Sequence, residues 1–246
     1  MTGRRTLSTK YGQVFLTSIA VAEREVALLG GIEGKNVLEI GCGGGILTGM
    51  LLEKNCRLTG IEPDHTHFGT LSAKFSAEIS SGRFDLLKTT FGKLEHRDFD
   101  FIIGNIPYSH SSEILFGLRE FGFQKAVLMV QKEFGLRMVA QPGTGDYCRL
   151  TVNTALSFNV SMEFEVSRSL FEPVPQVDSV VVSITHAPMK PNVDSRKADM
   201  VIRKIFSNRR KMLGNIFMGV PDELKKARGE MLTPQQILDL AEILNS

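Results

Sequence analysis

A glycine-rich turn between a predicted strand and a predicted helix constrains the fold of this chain more than any other feature. The apolar run at residues 37–40 is typical of a buried strand, residues 41–45 read GCGGG, and the apolar residues of 46–52 recur at helical spacing. Residues without a Cβ let a ligand approach the backbone, and a helix N-terminus offers free N–H groups. The unit therefore predicts a ligand-binding turn; the alternative is a turn that only packs a strand against a helix.

The same strand-and-helix alternation continues along the chain. Further strands are predicted at residues 57–62, 99–103 and 126–130, and helices at 71–78 and 111–121. This order predicts an α/β fold with a Rossmann-like, doubly wound, mostly parallel sheet, whose ligands bind at the carboxyl ends of the strands. Ile46 stands where a G-x-G-x-x-G dinucleotide fingerprint has its third glycine, which disfavours a dinucleotide oxidoreductase.

The β-branched run at residues 179–184 predicts one more strand, and the proline-containing segment after it indicates a domain boundary. Helices are predicted at 198–217 and 235–244. We therefore expect two domains: residues 1–187 form the α/β domain with an N-terminal arm, and residues 188–246 form a small helical C-terminal domain.

Glu62 follows the second predicted strand, at the ligand-binding edge of the sheet. A carboxylate at this place can accept hydrogen bonds from both hydroxyls of a ribose. The position predicts an adenosine-containing ligand without naming a reaction. The alternative is a surface acid that opens a helix and is favoured there by the helix dipole.

The sequence Asn105-Ile106-Pro107-Tyr108 comes directly after the predicted strand at 99–103 and therefore lies at the same edge. An exocyclic amine on a nucleobase is a poor nucleophile, because its lone pair is delocalised into the ring. The side-chain carbonyl of Asn105 and the backbone carbonyl of Ile106 can accept its hydrogen bonds, Pro107 fixes the turn, and Tyr108 can stack on the base. As an isolated tetrapeptide the motif is more often an ordinary turn; its order after the glycine turn and Glu62 favours a functional site.

The net charge of +2 is too small to indicate nucleic-acid binding by itself, so any such function depends on local clusters. Two clusters of basic residues fit either phosphate contacts or solvated helix faces. They are Arg4, Arg5 and Lys10 in the N-terminal arm, and Arg203, Lys204, Arg209, Arg210 and Lys211 near the C-terminus.

Three cysteines without C-x-x-C spacing argue against a disulfide framework and against a zinc site. His65 and His67 lack a nearby third ligand, so no metal is expected. The sequence shows neither a signal peptide nor the ~18 consecutive apolar residues of a membrane span. We therefore expect a cytoplasmic protein without a membrane partner.

Motifs spread over nearly the whole chain resemble the KsgA-type ribosomal RNA adenine dimethyltransferases, a family that includes the Erm methyltransferases. The matching segments are residues 12–16 (GQVFL), 37–43 (VLEIGCG), 61–62 (IE), 104–108 (GNIPY), 131–133 (QKE), 147–151 (YCRLT), 171–179 (FEPVPQVDS) and 206–211 (FSNRRK).

The resemblance implies that S-adenosyl-L-methionine is the cofactor and assigns residues to it by position. Residues Gln13, Val14 and Leu16 would close over the cofactor, although the family usually has Asn or His where this chain has Val14. Gly41 and Gly43 would line its methionine part and Glu62 would hold its ribose. Asp85 is placed by aligning residues 91–94 (FGKL) with a similar run in the family, and it would bind the adenine of the cofactor. Asn105 would also lie next to the cofactor. On the substrate side, Phe171 would stack on the target base opposite Tyr108.

The function implied is dimethylation of N6 of two adjacent adenines near the 3′ end of small-subunit ribosomal RNA. The partner would be this RNA, or the immature small ribosomal subunit, bound by a monomer. Two alternatives stay open: an Erm-like enzyme that methylates large-subunit RNA, and a non-catalytic RNA-binding assembly or transcription factor with the same fold.

Overall fold

The structure, a computed structural model, describes residues 14–188 and 195–244, with only the backbone described at 195 and 196. The chain forms two compact units. The first comprises residues 1–132 and 162–184, and the second comprises residues 133–161 and 185–246. The predicted boundary at residue 187 differs from this division, because residues 133–161 belong to the same compact unit as the C-terminal residues.

The helices and strands follow the alternation that the sequence predicts. In chain order they are β1 (Phe15–Leu16), α1 (Ile19–Leu29), β2 (Asn36–Ile40), α2 (Ile46–Glu53), β3 (Arg57–Ile61), α3 (His65–Lys74), α4 (Ser76–Ser80), β4 (Phe84–Leu87), β5 (Phe101–Asn105), α5 (Ser111–Gly117), β6 (Lys125–Gln131), α6 (Lys132–Met138), α7 (Arg149–Ala155), β7 (Phe158–Val166), β8 (Phe171–Glu172), β9 (Ser179–His186), α8 (Ser195–Ser207) and α9 (Pro234–Ile243).

The large sheet has the strand order β4-β3-β2-β5-β6-β9-β7. Strands β4, β3, β2, β5 and β6 pair in parallel, and β9 pairs antiparallel with β6. The predicted Rossmann-like, mostly parallel fold is therefore confirmed. From β2 the strand order runs outward through β3 to β4, and β5 then starts again on the other side of β2. Sheets of this kind bind ligands at such a switch point, here between β2 and β5.

The register of the parallel strands brings the predicted site residues to one edge. Ile40 at the end of β2 lies opposite Ile61 at the end of β3, so the glycine turn and Glu62 follow neighbouring strand ends. Asn105 is the last residue of β5, which pairs with the other side of β2. At Gly104 an added Cβ would lie 2.5 Å from the backbone oxygen of Ile40, so the close packing of β5 on β2 requires glycine there.

Helix α1, which no sequence pattern predicted, packs against β5 and β6. The Ser18 side chain accepts a hydrogen bond from the backbone N–H of Val21 and caps the helix start. Its buried face is apolar except for Glu25, whose side chain lies within the core with no solvent exposure. This acid matters for the site, as described below.

The second unit has its own apolar core. Helices α7, α8 and α9 and the segment before α9 contribute to it, and Tyr147 is fully buried there, with its hydroxyl donating to the Leu232 carbonyl at 2.7 Å. Helix α9 begins with a capping box of Thr233 and Gln236. Because Tyr147 and Val152 pack into this core, residues 133–161 belong with the C-terminal residues.

Two predicted helices differ from the observed ones. The helix predicted at residues 71–78 is two helices, α3 and α4, which meet at Phe75 with φ −111° and ψ 30°. The helix predicted at 198–217 ends at Ser207, and a 3-10 turn at Leu213–Asn215 follows. No helix in the described part of the chain is both long and apolar enough to cross a membrane.

Candidate active site

One cleft at the carboxyl edge of the sheet gathers most of the predicted site residues. It has a volume of about 180 Å³ and lies within the first unit. The predicted residues that line it are Val14, Leu16, Gly41, Gly43, Glu62, Asn105, Ile106, Pro107, Tyr108 and Phe171. Gln13 lies outside the described residues.

Glu62 is held rigidly at the wall of this cleft. Its Oε2 accepts a hydrogen bond from the backbone N–H of Gly43 at 2.8 Å, and its Oε1 accepts one from that of Asp64 at 2.9 Å. The side chain is 1% exposed. Each carboxylate oxygen has further acceptor capacity, so the fixed group can still bind two hydroxyls of a ligand.

The glycine turn leaves room for a ligand and for the segment that covers it. Gly43 has φ +50°, and an added Cβ would lie 3.1 Å from the ring of Phe15 in β1. Strand β1 pairs antiparallel with β8, with Leu16 opposite Phe171. The short two-stranded sheet therefore brings Val14, Leu16 and Phe171 to the same side of the cleft.

Glu39 is a second buried acid on the cleft wall. Its Oε2 accepts a hydrogen bond from the Thr48 hydroxyl at 2.7 Å, while Oε1 has no partner among the described residues. Burial raises the pKa of Glu39 to about 7. No role was predicted for Glu39 from the sequence, although it lies in the segment 37–43 (VLEIGCG) that carries the family resemblance.

Asn105 presents an unused acceptor. Its side-chain nitrogen donates to Oε2 of Glu25 at 3.4 Å, and its carbonyl oxygen Oδ1 is buried without a partner among the described residues. An unpaired buried acceptor costs about 1–3 kcal/mol. A ligand N–H donor that reaches the cleft next to Asn105 would remove this cost.

Besides Phe15, the aromatic side chains of Tyr108 and Phe171 line the cleft. The Tyr108 hydroxyl lies 2.7 Å from the Ser179 hydroxyl and forms a hydrogen bond with it, which restrains the ring. Burial raises the pKa of Tyr108, so its phenol is neutral at physiological pH. Phe171 is 4% exposed and packs with the apolar core of the first unit.

A smaller cavity of about 100 Å³ shares Gly41 and Pro107 with this cleft. Thr89, Thr90, His110 and Glu113 supply its polar side chains, and Ile61, Pro63, Phe91 and Ile114 are among the apolar ones.

The assignment of Asp85 has to be corrected. Asp85 lies inside β4, opposite Thr59, and its carboxylate forms an ion pair with Arg97 at 3.3 Å. It lines neither of the two cavities. The register explains this: Leu87 lies opposite Ile61, so the residues just after β4, and not Asp85, are level with Glu62. The side chains that follow β4 into the smaller cavity are Thr89 and Thr90.

Several of the C-terminal basic residues are already engaged. Arg203 forms an ion pair with Asp199, and the Lys204 ammonium lies 4.9 Å from the Phe217 ring centroid. Arg209 forms an ion pair with Glu230 and donates to the carbonyls of Thr144 and Gly145.

Arg210 and Lys211 are exposed and have no ion-pair partner within the described residues. Arg4, Arg5 and Lys10 lie outside the described residues. Within residues 14–188 and 195–244, no group of three or more potential metal ligands is found.

Comparison with known proteins connects this site to one family. Residues 4–245 match the model of the family described as ribosomal RNA adenine dimethylase. A probable ribosomal RNA small subunit methyltransferase A from Methanospirillum hungatei is 39% identical over 200 residues, which cover 81% of this chain and 78% of that protein. A ribosomal RNA small subunit methyltransferase A from Chlorobium limicola is 35% identical over 93% of this chain and 90% of its own.

Two solved structures resemble the whole chain. A dimethyladenosine transferase from Plasmodium falciparum aligns with a TM-score of 0.81 at 28% identity, covering 92% of this chain and 95% of that one. The 23S rRNA methyltransferase ErmE aligns with a TM-score of 0.71 at 25% identity, covering 94% of this chain and all of that one.

Proposed function

The chain belongs to the ribosomal RNA adenine dimethylase family, and we propose that it dimethylates N6 of two adjacent adenines near the 3′ end of small-subunit ribosomal RNA. Its reaction is S-adenosyl-L-methionine-dependent dimethylation of adenine in ribosomal RNA. The choice of the small subunit and of the two adenines is the part that we propose.

The residues of the cleft fit this cofactor. The fixed Glu62 carboxylate suits the two ribose hydroxyls, and Gly41 and Gly43 leave backbone next to open space for the methionine part. We assign the adenine ring to the smaller cavity, where Thr89 and Thr90 take the place that the sequence analysis gave to Asp85. Val14 and Leu16 would cover the cofactor. When bound, the cofactor supplies an electrophilic methyl group on a sulfonium.

The observation that carries the proposal is the unpaired carbonyl oxygen of Asn105. Asn105 lines the cleft together with Tyr108 and Phe171, whose rings suit a flat base. An adenine splayed out of single-stranded RNA can stack on them and offer its amine to Asn105.

Asn105 and Ile106 act by holding the amine. Their carbonyl oxygens accept its two N–H bonds, which draws the lone pair out of the ring and aims it at the methyl group. The new N–C bond forms as the C–S bond breaks, and the extra proton leaves to solvent, so a strong general base is not needed. The monomethylated amine keeps one N–H, and one of the two acceptors holds it for the second transfer.

Several observations favour small-subunit RNA over the Erm-like alternative. The two relatives cited carry the name small subunit methyltransferase A, and the dimethyladenosine transferase fits this chain better than ErmE does. The complete Asn105–Tyr108 motif and its open acceptor argue against a non-catalytic factor. We further propose that Arg210 and Lys211 contact RNA phosphates, and that the protein acts as a monomer in the cytoplasm.

The choice between small and large ribosomal subunits as the substrate for methylation tests the proposal. The purified chain is incubated with labelled S-adenosyl-L-methionine and with unmethylated small or large ribosomal subunits. Transfer to small subunits alone is expected. Transfer to large subunits alone would favour the Erm-like alternative, and tight binding to small subunits without transfer would favour the assembly-factor alternative.

A further inference from the structure

We propose that Glu25 is a positioning residue for methyl transfer, which accepts a hydrogen bond from the Asn105 side-chain nitrogen and thereby keeps the Asn105 carbonyl oxygen turned toward the target amine. The inference rests on the role proposed above for Asn105. It adds a residue from helix α1 that touches neither cofactor nor base.

Glu25 stands behind the cleft rather than in it. It lies on the buried face of α1 with no solvent exposure, and it is not among the residues that line the cleft. Its Oε2 lies 3.4 Å from the Asn105 side-chain nitrogen. Among the described residues, the hydrogen bond that joins Glu25 to a cleft residue is the one from Asn105.

An asparagine amide needs such a partner, because its oxygen and nitrogen ends have nearly the same shape and opposite hydrogen-bonding character. If the amide turned over, it would present N–H donors to an amine that is itself a donor, and the acceptor would be lost. Apart from Glu25, no partner of the Asn105 side chain is found among the described residues. The hydrogen bond to Glu25 thus places the nitrogen end of the amide toward α1 and the carbonyl oxygen away from it.

Core packing does not account for an acid at this position. The second oxygen of Glu25, Oε1, is buried without a partner among the described residues. Burial, with a contribution from the nearby charge of Glu39, raises the pKa of Glu25 to about 8. A leucine there would remove the cost of burying the carboxyl but would leave the Asn105 side-chain nitrogen without a partner, and these two effects on stability oppose each other. A purely structural role therefore predicts little loss from a leucine, whereas a positioning role predicts a loss of turnover.

The test compares four variants with the unaltered chain: Glu25→Leu, Glu25→Gln, Glu23→Leu and Asn105→Ala. Glu23 is an exposed residue on the same helix and serves as the matched control. The assay measures kcat and KM for methyl transfer to unmethylated small ribosomal subunits, the Kd for S-adenosyl-L-methionine, and the urea midpoint of unfolding.

The leucine variant is expected to lose kcat by roughly tenfold, with Kd unchanged and an unfolding midpoint close to that of the unaltered chain. The glutamine variant, whose carbonyl can still accept from Asn105 in one of two amide orientations, is expected to lose only about twofold. Glu23→Leu should keep full turnover.

Two results would overturn the inference: full turnover by Glu25→Leu, or a parallel loss of turnover, cofactor affinity and stability in that variant. The Asn105→Ala variant separates this failure from that of the proposed function. An inactive Asn105→Ala together with a fully active Glu25→Leu overturns only the role of Glu25, whereas an active Asn105→Ala removes the premise.

Discussion

The two buried acids make the stability of this protein fall as pH rises, and Glu25 allows the effect to be isolated. Burial raises the pKa of Glu25 from 4.5 to about 8. An acid with a raised pKa in the folded state keeps its proton while the unfolded chain releases one. Its contribution to stability is therefore fully present below pH 4.5 and is lost as pH rises through about 8.

The size of the effect follows from proton linkage. Between pH 5 and pH 7 the unfolded chain has lost nearly one proton at Glu25 that the folded chain still holds, which corresponds to about 1.4 kcal/mol for each pH unit. The Glu25→Gln variant has no proton to release at this position. Its free energy of unfolding relative to the unaltered chain should therefore rise by roughly 2–3 kcal/mol from pH 5 to pH 7.

Urea unfolding followed by circular dichroism at pH 5, 6 and 7, at constant ionic strength, measures this difference. Glu39, whose pKa burial raises to about 7, keeps most of its proton in both proteins at pH 5 and 6, where its charge therefore affects the comparison least. A Glu23→Gln variant serves as the exposed control and should show a constant difference. If the Glu25→Gln difference stays constant within about 0.5 kcal/mol, Glu25 is not a protonated core acid and the reasoning fails.

Substitutions at four positions test the site and the packing beneath it. Asn105→Ala should abolish methylation and leave the Kd for S-adenosyl-L-methionine nearly unchanged in a binding titration; normal turnover would refute its role. Glu62→Ala should weaken cofactor binding by about tenfold or more, because a charge-assisted acceptor is lost, and an unchanged Kd would exclude the ribose assignment. Gly104→Ala should lower the free energy of unfolding by about 1–3 kcal/mol in urea, since its Cβ would lie 2.5 Å from the Ile40 oxygen; equal stability would contradict the packing argument. Tyr108→Phe should keep most turnover and Tyr108→Ala should lose it, whereas equal losses would point to the hydroxyl instead of the ring.

Strand-end residues could be predicted from the sequence because local patterns encode them. The glycine turn follows the apolar run at 37–40, and the motif at 105–108 begins where another apolar strand ends. The ends of parallel strands meet at one edge of the sheet. The order of these motifs was therefore enough to predict that Glu62 and Asn105 line one cleft.

The features that the sequence did not reveal depend on contacts between distant segments. The burial of Glu25 could not be read from α1, because a single acid in an amphipathic helix is normally exposed. Asp85 was misplaced because its level along the sheet relative to Glu62 depends on the register of β4 against β3, which the sequence does not state. The pairing of Arg209 with Glu230 likewise depends on how a turn after α8 folds back.

The domain division shows the same limit. The predicted boundary at residue 187 lies at the proline-containing segment that follows the strand, yet Tyr147 and Val152 pack in one core with α8 and α9. Such membership is set by the packing of apolar side chains far apart in sequence. Patterns of hydrophobicity mark which residues are buried, and not which core receives them.

The most direct test of the central claim is to identify the methylated product. Unmethylated small ribosomal subunits are treated with the purified chain and labelled S-adenosyl-L-methionine, and the modified nucleosides are mapped by mass spectrometry. The account predicts N6,N6-dimethyladenosine at two adjacent positions near the 3′ end, and no label with Asn105→Ala. Label on another atom or base, or an equal yield with Asn105→Ala, would contradict it.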